Sequence, residues 1–376
     1  MAAKAASMTA GARFYTLSNG VRMPSVGLGT YRVREQGALD ACILEALRSG
    51  YRLIDTATVY RNEAQIGNSL KKIFENDLVP GLTRQDIFLV SKLAPKDQGY
   101  DACYQAVQDS LRQLQVDYID LYLIHWPGTA KLKLPNAQNA INRMESWRAL
   151  EDLYHAKKLR SIGVSNYTIR HLSELIERPH HSHSYSHSSA ESPIATPSSP
   201  ARTMVIPHVH QFEMHPRLFQ QELVEYCQAH RIQVQAYSSL GEGRLIVQTA
   251  PLPPPDDPYY NEKPVPGALE VMPDLIRKYF PGSSATLSKK NGMMIDGLEP
   301  ALISESEYSK RSAQILLRWG LQHQAVVIPK STHPQRVRDN FDLFSFEIEP
   351  SDMALLDSYS TKGHRVRYCW DPTEVR

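Results

Sequence analysis

Two kinds of hydrophobic pattern alternate along this chain. Short apolar runs of four to seven residues, typical of buried strands, alternate with longer stretches whose apolar residues recur every three or four positions, as on one face of a helix. The runs predict strands at Ser25–Gly29, Arg52–Asp55, Ile87–Lys92, Ile119–His125, Ser161–Ser165, His208–Gln211, Ile232–Tyr237 and Val326–Lys330. The amphipathic stretches predict helices at Leu39–Ser49, Glu63–Phe74, Tyr100–Leu114, Arg143–Ala156, Ile169–Ile176, Gln220–His230 and Glu307–His323, with a last one at Ser351–Tyr359.

This order of elements predicts the fold class. Strand–helix units in succession indicate a parallel sheet, and eight such units are the number that closes a barrel. Before the first unit, Asn19-Gly20 separates two short apolar segments, and Asn-Gly is a strong signal for a β-hairpin. The sequence therefore predicts an α/β protein, a (β/α)8 TIM barrel with an N-terminal β-hairpin cap, in a single domain over residues 1–376.

Two segments interrupt the regular alternation. Residues 249–306 separate the last two strands and begin with a Pro-rich stretch, so we expect a largely irregular insertion with one helix near Glu270–Phe280. Residues 180–202 are rich in Ser, His and Pro, a composition that buries too little apolar surface to offset chain entropy, so a disordered loop is expected. Four histidines within His180–His187 suggest transition-metal binding, but a solvated linker is the favoured interpretation and no metal site is predicted.

Composition and charge narrow the class of protein. The 42 basic and 40 acidic residues give a net charge of +2, so no overall field favours nucleic acid or a membrane surface as a partner. The four cysteines are far apart and indicate free thiols. No apolar run is long enough to span a membrane. Residues 1–13 are expected to be disordered, and because they match a transit peptide only weakly and lack the apolar core of a secretory signal, a cytoplasmic protein is predicted.

Four ionisable side chains occupy the places where a barrel of this kind carries its chemistry. Asp55 ends the second predicted strand, Lys92 the third and His125 the fourth, and Tyr60 lies in the loop after Asp55. A structural role as a helix cap, a salt-bridge partner or a core histidine is a sufficient explanation for any one of them. Four of them on three consecutive strands are better explained by a common site, because an unpaired buried charge is costly.

These residue types suit the delivery of a proton to a carbonyl oxygen. A free tyrosine has a pKa of about 10, too high for efficient acid–base catalysis at neutral pH, and a neighbouring Lys92 ammonium favours the phenolate and lowers that pKa. Asp55 would hold the lysine charged and oriented, and His125 would donate a hydrogen bond to the carbonyl oxygen. The sequence thus predicts Tyr60, Asp55, Lys92 and His125 as catalytic residues, and Trp126 with His125 as the substrate-binding residues.

Reduction needs a hydride source in addition to a proton donor. The segment Gly27–Gly29 does not continue as G-x-G-x-x-G, which argues against a Rossmann domain, whereas barrels bind phosphate around strands seven and eight. At that place Lys330, Ser331 and Arg336 suit a ribose 2′-phosphate, because lysine and arginine donate charge-assisted hydrogen bonds. Residues at other strand ends that suit a nicotinamide ring and its carboxamide are Tyr237, Ser165, Asn166 and Gln211.

The motifs that contain these residues resemble those of the aldo-keto reductase superfamily. The resemblance covers roughly residues 14–178, 205–248 and 307–376, interrupted by the two insertions. It implies a (β/α)8 barrel and, as cofactor, NADPH/NADP+ bound in an extended conformation. The segments that carry it are Leu17–Thr30, Asp55–Glu63, Leu121–Pro127, Gly163–Asn166 and Ile328–Ser331.

Carried over motif by motif, the resemblance assigns the residues around the cofactor. It implies the same catalytic tetrad, with Tyr60 as the acid–base residue, and it assigns Thr30 and Tyr31 of the opening motif to the cofactor. The further cofactor contacts that it implies are Tyr237 against the nicotinamide, Ser165, Asn166 and Gln211 at the carboxamide, Ser238 and Leu240 at the pyrophosphate, and Lys330, Ser331, Arg336 and Asn340 at the 2′-phosphate and adenine.

The chain also departs from the family pattern. Asp339 stands where the family more often has Glu, and the segment after Leu240 replaces a compact loop that clasps the cofactor. The tail Val366–Thr373 resembles that of short-tailed members, the glyoxal/methylglyoxal reductase and prostaglandin F synthase type.

The predicted function is an enzyme of the NADP-linked alcohol dehydrogenase type. We expect a monomer that reduces aldehydes and reactive ketones with NADPH and takes a small carbonyl substrate as its partner. The alternative is a regulatory, cofactor-binding subunit on the same barrel, like the potassium-channel β subunits. A metal sensor acting through the His-rich segment is a weaker third interpretation.

Overall fold

The structure, a computed structural model, describes residues 13–177, 204–247, 267–283, 303–361 and 365–376. Within these residues, an antiparallel hairpin of two strands precedes an eight-stranded parallel sheet. The hairpin consists of β1 (Phe14–Thr16) and β2 (Arg22–Pro24). The sheet runs in chain order through β3 (Gly27–Gly29), β4 (Leu53–Asp55), β5 (Phe88–Leu93), β6 (Leu121–Ile124), β7 (Ile162–Ser165), β8 (Val209–Glu213), β9 (Gln233–Tyr237) and β10 (Val326–Val327).

The sheet closes on itself between its first and last strands. Val26 pairs in parallel with Val327, and the backbone N–H of Gly29 donates to the carbonyl oxygen of Pro329 at 3.0 Å. A Cβ atom at Gly29 would lie 2.7 Å from the carbonyl oxygen of Ile328, so this close approach of the two chain segments requires glycine. The closed parallel sheet confirms the predicted (β/α)8 barrel.

Helices follow the strands and bury apolar stripes against the outside of the barrel. None of the helices in the described ranges combines the length and apolar character needed to cross a membrane. The α-helices in the described residues are α1 (Gln36–Ser49), α2 (Glu63–Glu75), α3 (Tyr100–Leu114), α4 (Gln138–His155), α5 (Ile169–Ile176), α6 (Gln221–Ala229), α7 (Met272–Tyr279), α8 (Glu305–Gln322), α9 (Pro334–Asp339) and α10 (Pro350–Asp357).

The alternation of side chains along the strands creates two hydrophobic cores. Outward-facing residues such as Ile54 and Ile124 pack with the helices. Inward-facing residues at the beginnings of the strands, such as Leu53 and Leu121, pack with Tyr15 of the hairpin. The hairpin therefore closes the end of the barrel at which the strands begin, and the other end, where they finish, stays open for a site.

Each predicted strand overlaps an observed one, and the predicted helices lie within a few residues of their observed bounds. Helix α7 falls where the sequence predicts a helix near Glu270–Phe280. Helix α9 was not predicted, because six residues are too few to show an apolar periodicity. The predictions for the 180–202 segment, for residues 1–12 and for most of residues 249–306 concern positions outside the described residues.

Candidate active site

Three of the predicted catalytic residues meet at the open end of the barrel because strand alternation turns them inward. Asp55 is the last residue of β4, Lys92 lies next to the end of β5, and His125 directly follows β6. Strand β5 pairs with β4 on one side and with β6 on the other. The sheet therefore brings the three side chains together from positions up to 70 residues apart in sequence.

The Lys92 ammonium is fixed by two hydrogen bonds. Its Nζ donates to Asp55 Oδ1 at 2.6 Å and to the carbonyl oxygen of Thr56 at 2.8 Å, and the Lys92 side chain is fully buried. Burial lowers the pKa of Lys92, whereas the charge and hydrogen bond of Asp55 raise it. The carboxylate of Asp55 thus stabilises the charged form of Lys92 against the desolvation that burial imposes.

Tyr60 is brought to this ion pair by a short 3₁₀ turn, Thr58–Tyr60. The hydroxyl of Thr58 donates to the carbonyl oxygen of Lys92 at 3.0 Å, which ties the turn to β5. Lys92 Nζ lies 5.1 Å from the centroid of the Tyr60 ring. The His125 ring is 5.9 Å from the Tyr60 ring and inclined to it by 75°. The structure therefore brings together all four predicted catalytic residues.

His125 is held as a neutral imidazole. Burial, together with the nearby Lys92 ammonium, keeps the pKa of His125 well below its usual value of 6.5. Its Nδ1 is buried and has no hydrogen-bond partner among the described residues. The backbone at this position is fixed by Asn166, whose Nδ2 donates to the carbonyl oxygen of His125 at 3.0 Å. A neutral imidazole carries a single N–H, which suits it to donate a hydrogen bond to an oxygen.

Three of the predicted nicotinamide contacts form a hydrogen-bonded chain beside the tetrad. The Tyr237 hydroxyl donates to Asn166 Oδ1 at 2.7 Å, and Asn166 Nδ2 donates to Ser165 Oγ at 3.0 Å. Asn166 has a φ of 62°, a left-handed conformation that asparagine tolerates better than most residues. Burial raises the pKa of Tyr237 well above 10, so this hydroxyl remains a donor. These hydrogen bonds connect the end of β7 to the end of β9.

The structure gives two other predicted cofactor residues a contact with Asp55. Gln211 Nε2 donates to Asp55 Oδ2 at 2.8 Å, and the Thr30 hydroxyl donates to the Asp55 carbonyl oxygen at 2.9 Å. The ring of Tyr31, the residue after Thr30, lies 5.0 Å from the ring of Tyr60. These contacts were not predicted, because sequence spacing contains no information about partners as distant as Asp55 and Gln211. They make Asp55 the centre of the hydrogen bonds that position Lys92.

Ser238 and Leu240, the predicted pyrophosphate contacts, lie in the turn that follows β9. Ser238 has a φ of 51°, and its carbonyl oxygen accepts from the N–H of Gly241 at 2.7 Å. A short 3₁₀ segment, Gly241–Ile246, comes next. The turn stands beside Tyr237, so the structure places these residues at the same end of the barrel as the tetrad.

The predicted phosphate-binding residues follow the last strand. Lys330 and Arg336 are exposed, whereas Ser331 and Asn340 are buried. Partial desolvation lowers the pKa of Lys330, and the positive charge of Arg32 lowers it further. Arg32 was missed in the sequence, although its place directly after Thr30 and Tyr31 was a signal. The chain thus presents three cations at this edge of the barrel.

Trp126, the predicted substrate wall, has an aromatic neighbour from the tail. Its ring lies 5.8 Å from that of Trp370, at an inclination of 53°. Trp370 is 56% exposed, although large apolar side chains are usually buried. The position of Trp370 beside Trp126 could not be predicted, since nothing in the sequence shows where the tail crosses the barrel.

This geometry can be compared with known proteins. The sequence model of the aldo/keto reductase family matches residues 25–361. Glyoxal reductase of Bacillus subtilis is 34% identical over 350 residues, which cover 93% of this chain and 93% of that protein. D/L-glyceraldehyde reductase of Hypocrea jecorina is 31% identical, over a match that covers 96% of this chain and 92% of that protein. Among solved structures, an aldo-keto reductase of Bombyx mori in complex with NADP is 27% identical, with a TM-score of 0.67 and 95% of each chain covered.

The barrel, the converging tetrad and these matches define the class of protein. The chain belongs to the aldo/keto reductase family. Family members use nicotinamide cofactors, and the reductases among its relatives support an NAD(P)H-dependent carbonyl reductase in general.

Proposed function

We propose that this protein is an NADPH-dependent reductase of aldehydes and reactive ketones in which Tyr60 donates the proton to the carbonyl oxygen. One observation carries the proposal. A buried Lys92, hydrogen-bonded to Asp55 at 2.6 Å, lies 5.1 Å from the Tyr60 ring. The names of the glyoxal and glyceraldehyde reductases, whose substrates are small reactive aldehydes, support the substrate class.

The tetrad would act by stabilising negative charge as it develops on oxygen. When bound, the nicotinamide cofactor supplies the hydride for the carbonyl carbon. Tyr60 releases its proton to the carbonyl oxygen, and the Lys92 ammonium stabilises the phenolate that remains. Asp55 keeps Lys92 charged and oriented. The neutral His125 donates a hydrogen bond to the same carbonyl oxygen, which orients the substrate.

The residues present fit NADPH rather than an uncharged ligand. Lys330 and Arg336 are exposed cations in the segment that follows the last strand, and the positive charge of Arg32 lowers the pKa of Lys330. Three cations at one edge suit a phosphate dianion, to which lysine and arginine donate charge-assisted hydrogen bonds. Ser165, Asn166 and Gln211 would hold the carboxamide, and the Tyr237 ring would stack on the nicotinamide.

Oxidation of NADPH in the presence of methylglyoxal or 4-nitrobenzaldehyde tests this function, with NADH compared in parallel. We expect turnover with both aldehydes and a preference for NADPH. A protein that binds NADPH but turns over neither aldehyde would instead support the alternative, a regulatory subunit that retains the cofactor site.

A further inference from the structure

A buried carboxylate that has no place in the reaction above holds the chain's tail. Glu213 is the last residue of β8, and its side chain is fully buried. Its Oε1 accepts from the backbone N–H of Tyr368 at 2.6 Å, and its Oε2 accepts from the N–H of Cys369 at 3.1 Å. His215 Nε2 lies 3.0 Å from the same carboxylate. Because a buried carboxylate needs such donors, Glu213 and the tail stabilise each other.

The tail residue held in this way packs against the turn that follows β9. The Tyr368 side chain is 5% exposed, and its ring lies 5.0 Å from the His215 ring. The Arg244 guanidinium lies 5.3 Å from the Tyr368 ring centroid. A Cβ atom at Gly241 would lie 2.8 Å from Tyr368 Cε2, so the ring is in direct contact with this backbone. Tyr368 therefore fills the space between β8 and the segment Ser238–Arg244.

A second tail contact supports the same segment. Cys369 Sγ lies 3.7 Å from Ser238 Oγ, at the beginning of the turn. Gly241 has a φ of 57°, a left-handed conformation in which only glycine allows Tyr368 to approach so closely. The tail is thus hydrogen-bonded to Glu213 and also packs against the segment Ser238–Arg244.

We propose that Glu213 is a positioning residue for cofactor binding. It holds Tyr368, and Tyr368 keeps Ser238–Arg244 in the conformation that receives the pyrophosphate of the dinucleotide. This inference rests on the proposed function, in which Ser238 and Leu240 contact that pyrophosphate. It assigns the tail a role in cofactor retention, so that the rate at which the cofactor leaves depends on a carboxylate that never touches it.

The test is a fluorescence titration of NADPH against wild type, Glu213→Gln and Tyr368→Ala. In Glu213→Gln an amide N–H replaces one acceptor oxygen, so one tail N–H loses its partner. Both variants are expected to raise the Kd of NADPH about tenfold through faster release. Hydride transfer in a single turnover at saturating NADPH should stay within about threefold of wild type, since the tetrad is unchanged. Hydrogen exchange at the N–H groups of residues 368 and 369 should accelerate in Glu213→Gln.

Two matched controls separate this role from general damage. Among the described residues the buried Tyr368 hydroxyl has no hydrogen-bond partner, so Tyr368→Phe keeps the ring contacts and should bind NADPH as wild type does. Glu222→Gln makes the same substitution at an exposed position of the neighbouring helix α6 and should also leave the Kd unchanged. The double variant Glu213→Gln/Tyr368→Ala should be no weaker than the weaker single variant, because both changes break one connection.

An unchanged Kd of NADPH in Tyr368→Ala would overturn the inference. So would a loss of NADPH affinity in Tyr368→Phe equal to that in Tyr368→Ala, or additive losses of affinity in the double variant. If Glu213→Gln does not fold, Tyr368→Ala alone still decides. A wild-type protein that does not bind NADPH would contradict the proposed function itself, so the two failures are distinguishable.

Discussion

Lys92 Nζ lies 2.6 Å from Asp55 Oδ1, with both side chains buried at the open end of the barrel. An ion pair in this environment is sensitive to the loss of either partner, because the remaining charge keeps its desolvation cost. In this chain the carboxylate is also oriented by Gln211, at 2.8 Å from its second oxygen. A substitution in this pair is therefore expected to affect both stability and the proposed catalysis.

Asp55→Asn should lower the free energy of unfolding by about 3–5 kcal/mol near neutral pH. Burial lowers the pKa of Lys92 from its ordinary value of 10.5, and Asp55 opposes this, so the substitution lowers the pKa further. Above that lowered pKa the folded Lys92 is neutral, whereas the unfolded one stays protonated up to about 10.5. The unfolded state of the variant then binds more protons than its folded state. The difference in unfolding free energy between Asp55→Asn and wild type should therefore shrink as pH rises toward about 10.5.

Urea denaturation of wild type and Asp55→Asn at about pH 7 and about pH 9.5 measures this difference. Asp274→Asn is the control, since Asp274 pairs with Arg277 on the exposed surface of α7 and the substitution should cost no more than about 1 kcal/mol. A deficit in Asp55→Asn that is the same at both pH values would show that Lys92 keeps its proton without Asp55.

The protein should lose stability in mild acid because it buries neutral histidines. Burial lowers the pKa of His171 and His208 to about 4 and that of His210 to about 3, from 6.5. Below about pH 6.5 the unfolded chain takes up protons that these folded side chains do not, so the free energy of unfolding falls as pH falls from there toward 4. Each such histidine contributes a slope of about 1.4 kcal/mol per pH unit in that window.

His210→Gln should reduce the loss of unfolding free energy between about pH 6.5 and about pH 5 by about 1–2 kcal/mol. Glutamine can still accept from the N–H of Tyr167, which donates to His210 Nε2 at 3.1 Å. The exposed His333→Gln is the control. If His210→Gln loses as much stability over this range as wild type does, the folded His210 takes up a proton above pH 5 and the assignment fails.

Lys330→Met should weaken the binding of NADPH at least about tenfold, and that of NADH less than about twofold, because only NADPH carries the 2′-phosphate. Fluorescence titration of both cofactors measures the two affinities. Arg338→Met, in the nearby helix α9 and paired with Glu45 at 2.7 Å, is the control and should change neither affinity. An equal loss for both cofactors would place Lys330 elsewhere than at the 2′-phosphate.

Much of the fold follows from patterns that act over short distances. The period of apolar residues predicts the strands and helices, and the count of eight units predicts closure, as the pairing of Val26 with Val327 shows. The tetrad was predictable for the same reason. Asp55, Lys92 and His125 end apolar runs, and the ends of parallel strands meet at one edge of the sheet.

The remaining features depend on contacts between distant parts of the chain. Glu213 binds the N–H of Tyr368 across 155 positions, and Gln211 binds Asp55 across 156. Neither partner has a sequence spacing that reveals the other, and both contacts arise only when the barrel closes and the tail crosses it. Helix α9 has six residues, too few to show an apolar periodicity, so it could not be predicted from the sequence.

Tyr60→Phe tests most directly whether Tyr60 donates the proton to the carbonyl oxygen, as proposed. Loss of the hydroxyl removes the proton donor but leaves the ring, its 5.1 Å distance to Lys92 Nζ and the cofactor residues in place. We predict that kcat/KM for methylglyoxal falls at least about 100-fold, while the Kd of NADPH changes less than about threefold. Tyr104→Phe, at an exposed position of α3, controls for the substitution. A Tyr60→Phe protein that binds NADPH and keeps more than about a third of the wild-type kcat/KM would contradict the claim.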